Sequence, residues 1–218
     1  MSYIEINAFT KKIKGNVILD NIQLKLEKNK IYGFVGINGS GKTMLLRAVA
    51  GLITATAGTI VVDGVEVGKG IHPQSIGLLI ENADLWSDLS AFENLDILNS
   101  MSRNKVSKAE IKKLISDFGL DPNSKKSFKA FSLGMKQKLR IAQAFMGNPD
   151  LLVLDEPTNA LDEQSVAYLR QRILDAKAHG TTVLLASHSS VDIEMLCDEI
   201  IYMDSGRITE QRQVAHHG

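Results

Sequence analysis

The feature that most limits what this chain can fold into is a glycine-rich stretch between an apolar run and a helical pattern. The stretch Gly36–Thr43 has the sequence G-I-N-G-S-G-K-T and follows the apolar residues 31–35. The apolar spacing within residues 45–52 predicts a helix directly after it. Glycines let a backbone curl so that its N–H groups converge, and a helix start adds a positive end. The sequence therefore predicts a strand, a phosphate-binding loop and a helix, in that order.

Two side chains of this stretch carry groups that the backbone cannot supply. The ammonium group of Lys42 can reach the β- and γ-phosphates of a nucleoside triphosphate, and the Thr43 hydroxyl can ligate Mg²⁺. We therefore expect ATP and Mg²⁺ as cofactors. The expected nucleotide-binding residues at this end are Gly36, Ile37, Asn38, Gly39, Ser40, Gly41, Lys42, Thr43 and Met44.

A second motif is the apolar run Leu151–Leu154, which ends in Asp155 and Glu156. Asp155, at the carboxyl end of the predicted strand, can hold the magnesium ion directly or through water. Glu156 can orient and polarise an attacking water molecule. Because acidic turns after apolar strands are common, this interpretation depends on the phosphate-binding loop upstream.

A histidine follows the next predicted strand, residues 182–186. A lone histidine after a strand is usually structural or simply solvated. Here the strand is expected to lie beside the one that carries Asp155, which brings His188 to the γ-phosphate end of the site. The expected catalytic residues are therefore Glu156 and His188.

The rest of the pattern predicts an α/β fold, in which a P-loop NTPase core has a mostly parallel sheet and an antiparallel β part near the N-terminus. Helical periodicity from residue 90 to 146 separates the early strands from the late ones, which predicts an inserted helical subdomain. Two capping boxes within it begin at Ser90 and Ser107. We expect one domain over residues 1–218, with the α/β core at 1–83 and 147–218 and the helical subdomain at 84–146.

Composition narrows the classes of function. The chain has 25 basic and 25 acidic residues, and no basic stripe argues for a nucleic-acid partner. Its one cysteine, Cys197, excludes a disulfide within the chain and suits a reducing cytosol. No apolar run approaches 18 residues, and the first residues lack the pattern of an export signal. We therefore expect a cytoplasmic protein, whose work at a membrane would need a second, membrane-spanning chain.

The order of these motifs resembles the nucleotide-binding domain of ABC transporters, over nearly the whole chain. The decisive segment, Phe131–Gln137, stands where that family has L-S-G-G-Q just before a helix. Ser132 and Gly134 keep the family's residues, whereas Leu133 replaces a glycine and Met135 replaces the glutamine. This form is similar to the variant found in bacitracin- and lantibiotic-type exporters.

The resemblance implies that this signature segment, Ser132, Leu133, Gly134 and Met135, binds the ATP of a second ATPase subunit. A serine and N–H groups at a helix start make such an anion site. The segment Asn159–Asp162 matches the family's D-loop, which lies at the dimer interface. The resemblance also implies an integral membrane permease as partner, a location on the inner face of the cell membrane, and export as the direction. The substrate, and whether the dimer is homomeric, stay open.

Two further positions depart from the family pattern. Glu81 stands where the family has a glutamine, and we expect it to bind magnesium or water beside Thr43 and Asp155. Ile13 stands where the family has an aromatic residue stacked on adenine. The stacking residue could instead be Tyr3, Phe9 or a residue of the partner chain.

Two rival functions and one ambiguous residue remain. A soluble ABC ATPase acting on DNA or ribosomes would usually carry long coiled-coil insertions or two ATPase cassettes, which this sequence lacks. A nucleotide sensor without turnover would need neither Glu156 nor His188. Trp86, in a predicted loop beside charged residues, is either an anchor for the permease or part of the subdomain core.

Overall fold

The computed structural model describes residues 2–80 and 85–215, which form two β-sheets and a set of helices. The strands are β1 (Ile4–Ile13), β2 (Asn16–Leu26), β3 (Ile31–Val35), β4 (Ala57–Val62), β5 (Val65–Glu66), β6 (Ile76–Leu79), β7 (Leu151–Asp155), β8 (Thr182–Ala186), β9 (Glu199–Asp204) and β10 (Arg207–Gln213). The α-helices are α1 (Lys42–Val49), α2 (Ala91–Met101), α3 (Lys108–Asp117), α4 (Leu133–Phe145), α5 (Glu163–Ala178) and α6 (Ser190–Leu196), and a 3₁₀ turn spans Phe128–Ala130.

The larger sheet has the strand order β10-β9-β3-β8-β7-β6, and its pairs are parallel except for β9 with β10. Strand β3, which leads into the glycine-rich loop, lies next to β8, and β8 lies next to β7. The register pairs Asp155 with Ala186, so β7 and β8 end at the same edge. This confirms the predicted α/β fold and brings the ends of three motif-bearing strands together.

Two apolar cores lie on opposite faces of this sheet, because side chains alternate along each strand. In β7, Leu152 and Leu154 belong to one core, whereas Leu151 and Val153 belong to the other. The first core also contains apolar residues of α2, α3, α4 and α5, and the second contains residues of α1 and of the smaller sheet. Both faces are covered, which explains why the central strands are apolar throughout.

The smaller sheet is antiparallel, with the order β2-β1-β4-β5, and it confirms the antiparallel part predicted near the N-terminus. Helices α2, α3 and α4 lie between β6 and β7 in the chain, where the inserted helical subdomain is predicted. Both capping boxes are present, with Glu93 closing on Ser90 and Glu110 closing on Ser107. The precise limits of the subdomain stay a prediction.

The sequence interpretation left α6, β9, β10 and the two-residue strand β5 unassigned. In the part of the chain that the structure describes, no helix is long and apolar enough to cross a membrane.

Candidate nucleotide site

The glycine-rich loop packs so closely that two of its glycines cannot be replaced without a shift. A Cβ atom on Gly36 would lie 2.2 Å from the Met203 carbonyl oxygen and 2.6 Å from Ser40 Oγ. Gly41, which precedes α1, has a φ of +106°, a conformation that favours glycine. By contrast, a Cβ atom on Gly39 would meet nothing within 4 Å. The loop therefore packs tightly against the rest of the protein at Gly36 and Gly41, and it leaves open space at Gly39.

Polar groups inside the loop are buried but only partly satisfied. Lys42 is 6% exposed, and its ammonium group donates to the carbonyl oxygens of Gly36 at 2.6 Å and Ile37 at 3.2 Å. Ser40 is 2% exposed, and its Oγ has no hydrogen-bond partner among the described residues. Buried hydroxyl groups are normally hydrogen-bonded, so this cradle suits a ligand that brings oxygen atoms.

A cavity of about 500 Å³ opens above the loop. It gathers residues that come from four separate parts of the chain. Its lining residues are Ile18, Asn38, Gly39, Ser40, Gly41, Lys42, Thr43, Met44, Asp155, Glu156, Asn159 and His188. Two of the residues expected from the loop, Gly36 and Ile37, do not line the cavity. Gly36 packs against the Met203 carbonyl and Ser40, and Ile37 is 72% exposed.

Glu156 and His188 lie side by side at the cavity. The backbone N–H of His188 donates to Glu156 Oε2 at 3.3 Å, and His188 Nε2 lies 3.4 Å from Glu156 Oε1. Within the described residues, Glu156 Oε1 is buried and has no hydrogen-bond partner. Burial raises the pKa of Glu156, while the hydrogen bond and charge of His188 oppose that rise. A carboxylate with one oxygen atom that accepts no hydrogen bond from the protein is suited to accept one from water.

The candidate magnesium ligands are a hydroxyl and a carboxylate at the same cavity, Thr43 and Asp155. Within residues 2–80 and 85–215, no group of three or more His, Cys, Asp or Glu side chains could hold a metal ion. A sparse set of oxygen donors fits Mg²⁺, which keeps several waters and completes its shell with substrate phosphates. Glu81, the third expected ligand, lies outside the described residues.

The signature segment lies at the start of α4 and does not line this cavity. Ser132 caps the helix, its Oγ accepting a hydrogen bond from the Met135 N–H at 3.3 Å. Leu133 is 68% exposed, although large apolar side chains are usually buried. The structure therefore brings the loop, Asp155, Glu156 and His188 together within one chain and leaves the signature segment apart.

Ile13, the residue expected at the adenine contact, is not among the residues that line the cavity. Ile13 is 41% exposed at the end of β1 and does not line the cavity, whereas Ile18 of β2 does. The two aromatic alternatives, Tyr3 and Phe9, are buried in the core. Ile18 was missed because its position on the cavity depends on the pairing of β2, which the local pattern does not reveal. Asn159, in the segment matched to the D-loop, is a second cavity residue that was not singled out.

A glycine-rich phosphate cradle, a strand-end aspartate and a glutamate–histidine pair on a parallel sheet define a P-loop nucleotide-hydrolysing domain. Residues 19–159 match the family model of the ABC transporter. The chain is 46% identical over 214 residues to an uncharacterised ABC transporter ATP-binding protein, YybJ, from Bacillus subtilis (strain 168), covering 98% of each chain. This chain belongs to the ABC transporter ATP-binding family, and it is an ATPase that binds ATP.

Two further relatives have names that give a transport role. The lantibiotic transport ATP-binding protein SrtF from Streptococcus pyogenes is 35% identical over 210 residues, with 96% of this chain and 90% of the relative covered. The bacitracin transport ATP-binding protein BcrA from Enterococcus faecalis is 37% identical over 216 residues, with coverages of 97% and 70%. These relatives confirm the resemblance seen in the signature segment.

A solved structure has the same fold. It is a dimeric ATP-binding cassette, MJ0796, in a post-hydrolysis state bound to ADP and Pi. Its TM-score to this chain is 0.87, at 21% identity, and the match covers 98% of this chain and 99% of that one.

Proposed function

We propose that two copies of this domain, or this chain and a related one, close around two MgATP molecules and power a separate membrane permease. The observation that carries this proposal is the separation of the two nucleotide-binding segments within one chain. The exposed signature segment, with Leu133 68% exposed, does not line the nucleotide cavity of its own subunit. The cavity of a second subunit would bring a nucleotide to it, and the dimeric cassette of the same fold supports such an arrangement.

In this proposal the residues of the cavity divide the work of hydrolysis. Lys42 and the loop N–H groups bind the β- and γ-phosphates. Glu156 accepts a hydrogen bond from the attacking water, and His188 donates one to the γ-phosphate. Thr43 and Asp155 would hold Mg²⁺, which neutralises charge that develops on the phosphate oxygens. The partner's signature segment would cover the γ-phosphate and exclude bulk water.

Light scattering tests the dimer. The variant Glu156→Gln, which keeps the shape of the site but loses the acceptor charge, should be monomeric or weakly dimeric without nucleotide and mainly dimeric with MgATP. The matched control is the same variant carrying Lys42→Ala, which should stay monomeric in both conditions. A dimer of equal strength with and without nucleotide would contradict the sandwich.

The docking surface that we propose for the permease is a cleft between the α/β core and α2. The cleft has a volume of about 550 Å³ and is lined from one side by residues 70–76 and from the other by residues 101–104. Ile71 is 50% exposed and Met101 is 74% exposed on its two walls. Ile97, one helical turn before Met101, is 37% exposed on the same face of α2. Exposed apolar walls of this kind fit a short amphipathic helix from a membrane protein.

Trp86 lies just before α2, at the end of the helix opposite Met101. It is 45% exposed and belongs to neither buried core, which favours the anchor over the core alternative. We propose that the chain lies on the inner face of the cell membrane through these contacts. The transport names of SrtF and BcrA support export of an antimicrobial peptide or antibiotic.

Copurification with the permease encoded by a neighbouring gene tests the docking surface. Met101→Glu and Trp86→Ala should each reduce the recovered complex while the basal ATPase activity stays unchanged. The control is Val191→Glu, because Val191 is 54% exposed on α6, away from the cleft. Equal recovery of all three variants would show that the permease docks elsewhere.

A further inference from the structure

The turn that begins at Glu156, residues 156–162, is held by α4, the helix that begins with the signature segment. We name these residues the catalytic turn. The side-chain amide of Gln137 in α4 donates a hydrogen bond from Nε2 to the carbonyl oxygen of Pro157, at 3.1 Å. Gln137 is only 9% exposed. Pro157 directly follows Glu156, so this hydrogen bond holds the peptide group between Pro157 and Thr158, one residue beyond the candidate base.

Two neighbouring positions of α4 touch the same turn. Gly134, one helical turn before Gln137, faces the Ala160 carbonyl so closely that an added Cβ atom would lie 2.9 Å from that oxygen. Lys138, next to Gln137, forms an ion pair of 2.9 Å with Asp162. The start of α4 therefore has two faces, one seated on the catalytic turn and one, with Leu133, turned outward.

The backbone of Glu156 needs external support. Its φ of +48° lies in the left-handed region, which is unfavourable for a residue other than glycine. Its N–H donates to the Ala186 carbonyl at 2.9 Å, so β8 fixes the preceding side of the residue. On the following side, the hydrogen bond from Gln137 to the Pro157 carbonyl holds the chain one residue further on. With both sides held, the Glu156 carboxylate keeps its place beside His188.

We propose that Gln137 is a positioning residue for Glu156, and that it connects the signature segment of a chain to the catalytic base of the same chain. The connection between sites rests on the proposed ATP sandwich. There, a chain's Glu156 serves one ATP molecule and its signature segment contacts the other. Through α4, closure of the signature segment on the partner's ATP is passed to the Pro157 carbonyl, and so to the base at the chain's own site.

The first test is a matched pair of variants on adjacent residues of α4. Gln137→Met keeps the length and the helical preference of the side chain but removes the donor, whereas Lys138→Met removes the neighbouring ion pair to the same turn. Gln137→Met should lower kcat by about tenfold to a hundredfold, as small misplacements of catalytic groups do, with KM for ATP within about twofold. Lys138→Met should leave kcat within about twofold, because its ion pair joins the far end of the turn, at Asp162, whose side chain is largely exposed to solvent.

Thermal unfolding of both variants separates positioning from a general loss of structure. Gln137→Met should melt cooperatively and bind MgATP as the unaltered protein does. If kcat of Gln137→Met equals that of Lys138→Met, or if its KM rises in proportion to the loss, the positioning role is wrong. A lower melting temperature that alone accounts for the lost activity would also overturn it.

The second test assigns Gln137 to one of the two sites, with mixed dimers of differently tagged copies. When Gln137→Met and Glu156→Gln are on the same copy and the other copy is unaltered, one intact site remains. Turnover should then equal that of a reference dimer with Glu156→Gln on one copy alone. When the two substitutions are on different copies, both sites are impaired, and turnover should fall at least about tenfold below the reference.

The opposite pattern would mean that Gln137 acts through the signature segment on the partner's ATP, and the proposal would be wrong. A reference dimer with no turnover would show that the sites act as one unit, which also contradicts assignment to a single site. If no nucleotide-dependent dimer forms at all, the sandwich fails, whereas the kcat and KM comparison still decides whether Gln137 positions Glu156.

Discussion

The phosphate-binding loop and the signature segment both lie at the start of a helix, yet they differ in how completely the chain itself builds them. In the loop, Ser40 and Lys42 are 2% and 6% exposed, and a Cβ atom on Gly36 would overlap the Met203 carbonyl. In the signature segment, Leu133 is 68% exposed, and the Ser132 hydroxyl caps its own helix. The loop is completed by the chain's own packing, whereas we propose that the signature segment is completed by a second subunit.

This difference explains where the sequence departs from the family pattern. In the loop, every position of the motif G-x-x-x-x-G-K-[ST] is kept, because packing leaves no room at Gly36. In the signature segment, Leu133 and Met135 replace residues of the family; Leu133 is exposed, and Met135 is only partly buried against the first core. Gly134, which is kept, is the member of the segment that packs against Ala160.

The largest expected effect is in the phosphate-binding loop, the region that the chain completes by itself. Lys42→Ala should abolish turnover and weaken MgATP binding by about tenfold to a hundredfold, since hydrogen bonds to charged groups contribute about 1.5–3 kcal/mol. Calorimetry on the monomer measures the affinity. The control Lys28→Ala, on an exposed lysine paired with Asp63, should bind as the unaltered protein does. Unchanged affinity in Lys42→Ala would remove the loop from the nucleotide site.

A smaller loss of activity, confined to the hydrolysis step, is expected when the candidate general base, Glu156, is replaced. Glu156→Gln should lower kcat by about 10²–10⁴-fold, the usual contribution of a general base, and leave MgATP binding intact. A time course of phosphate release measures kcat, and a separate nucleotide-binding experiment measures the affinity for MgATP. Turnover close to that of the unaltered protein would move the role of base to another residue.

On the signature side, a substitution should leave MgATP binding by the monomer unaffected. Gly134→Ala would bring a methyl group 2.9 Å from the Ala160 carbonyl oxygen, a contact that requires the backbone to shift. We expect unchanged MgATP binding by the monomer, weaker nucleotide-dependent dimerisation and about tenfold lower turnover. Leu133→Gly, at the exposed neighbouring position, is the control for the local helix start. Loss of monomer binding in Gly134→Ala would remove the contrast between the two regions.

The sequence was sufficient where local chemistry dictates the structure. The loop, the strand ending at Asp155 and both capping boxes depend on residues within a few positions of each other, and the structure has each element where it was predicted. The neighbouring position of β8 and β7 followed from the general rules for parallel sheets. These parts together position most of the cavity.

The parts that were missed depend on contacts between distant segments or on weak local patterns. Strand β10 is almost entirely polar and exposed, so only its pairing with β9 identifies it. Strand β9, in contrast, contains the apolar residues 200–203, a signal that was available. The contact between Gln137 and Pro157 spans 20 positions, and nothing in the local pattern of α4 indicates it.

The smallest expected effect concerns recognition of the nucleotide base in the cavity above the phosphate-binding loop. In the described chain no aromatic side chain lines the cavity, and Ile18 is its only large aliphatic neighbour outside residues 38–44. An isoleucine offers no flat face for stacking, which elsewhere contributes about 1–3 kcal/mol per base. Most of the affinity should therefore come from the triphosphate, which ATP and GTP share.

We expect ATP and GTP to bind within about tenfold of each other, or about 1.4 kcal/mol. Ile18→Ala should weaken both nucleotides by about fivefold, since it removes about 1 kcal/mol of apolar contact. Ile13→Ala is the matched control, because the same side chain is removed at a position 41% exposed that does not line the cavity. Competition binding on the monomer measures all three proteins. A strong preference for ATP that Ile18→Ala leaves intact would mean that a contact outside this cavity selects adenine. If that preference appears only in the nucleotide-bound dimer, the selecting residue belongs to the partner. Recognition of the nucleotide base would then depend on the second subunit, as we propose for the signature segment.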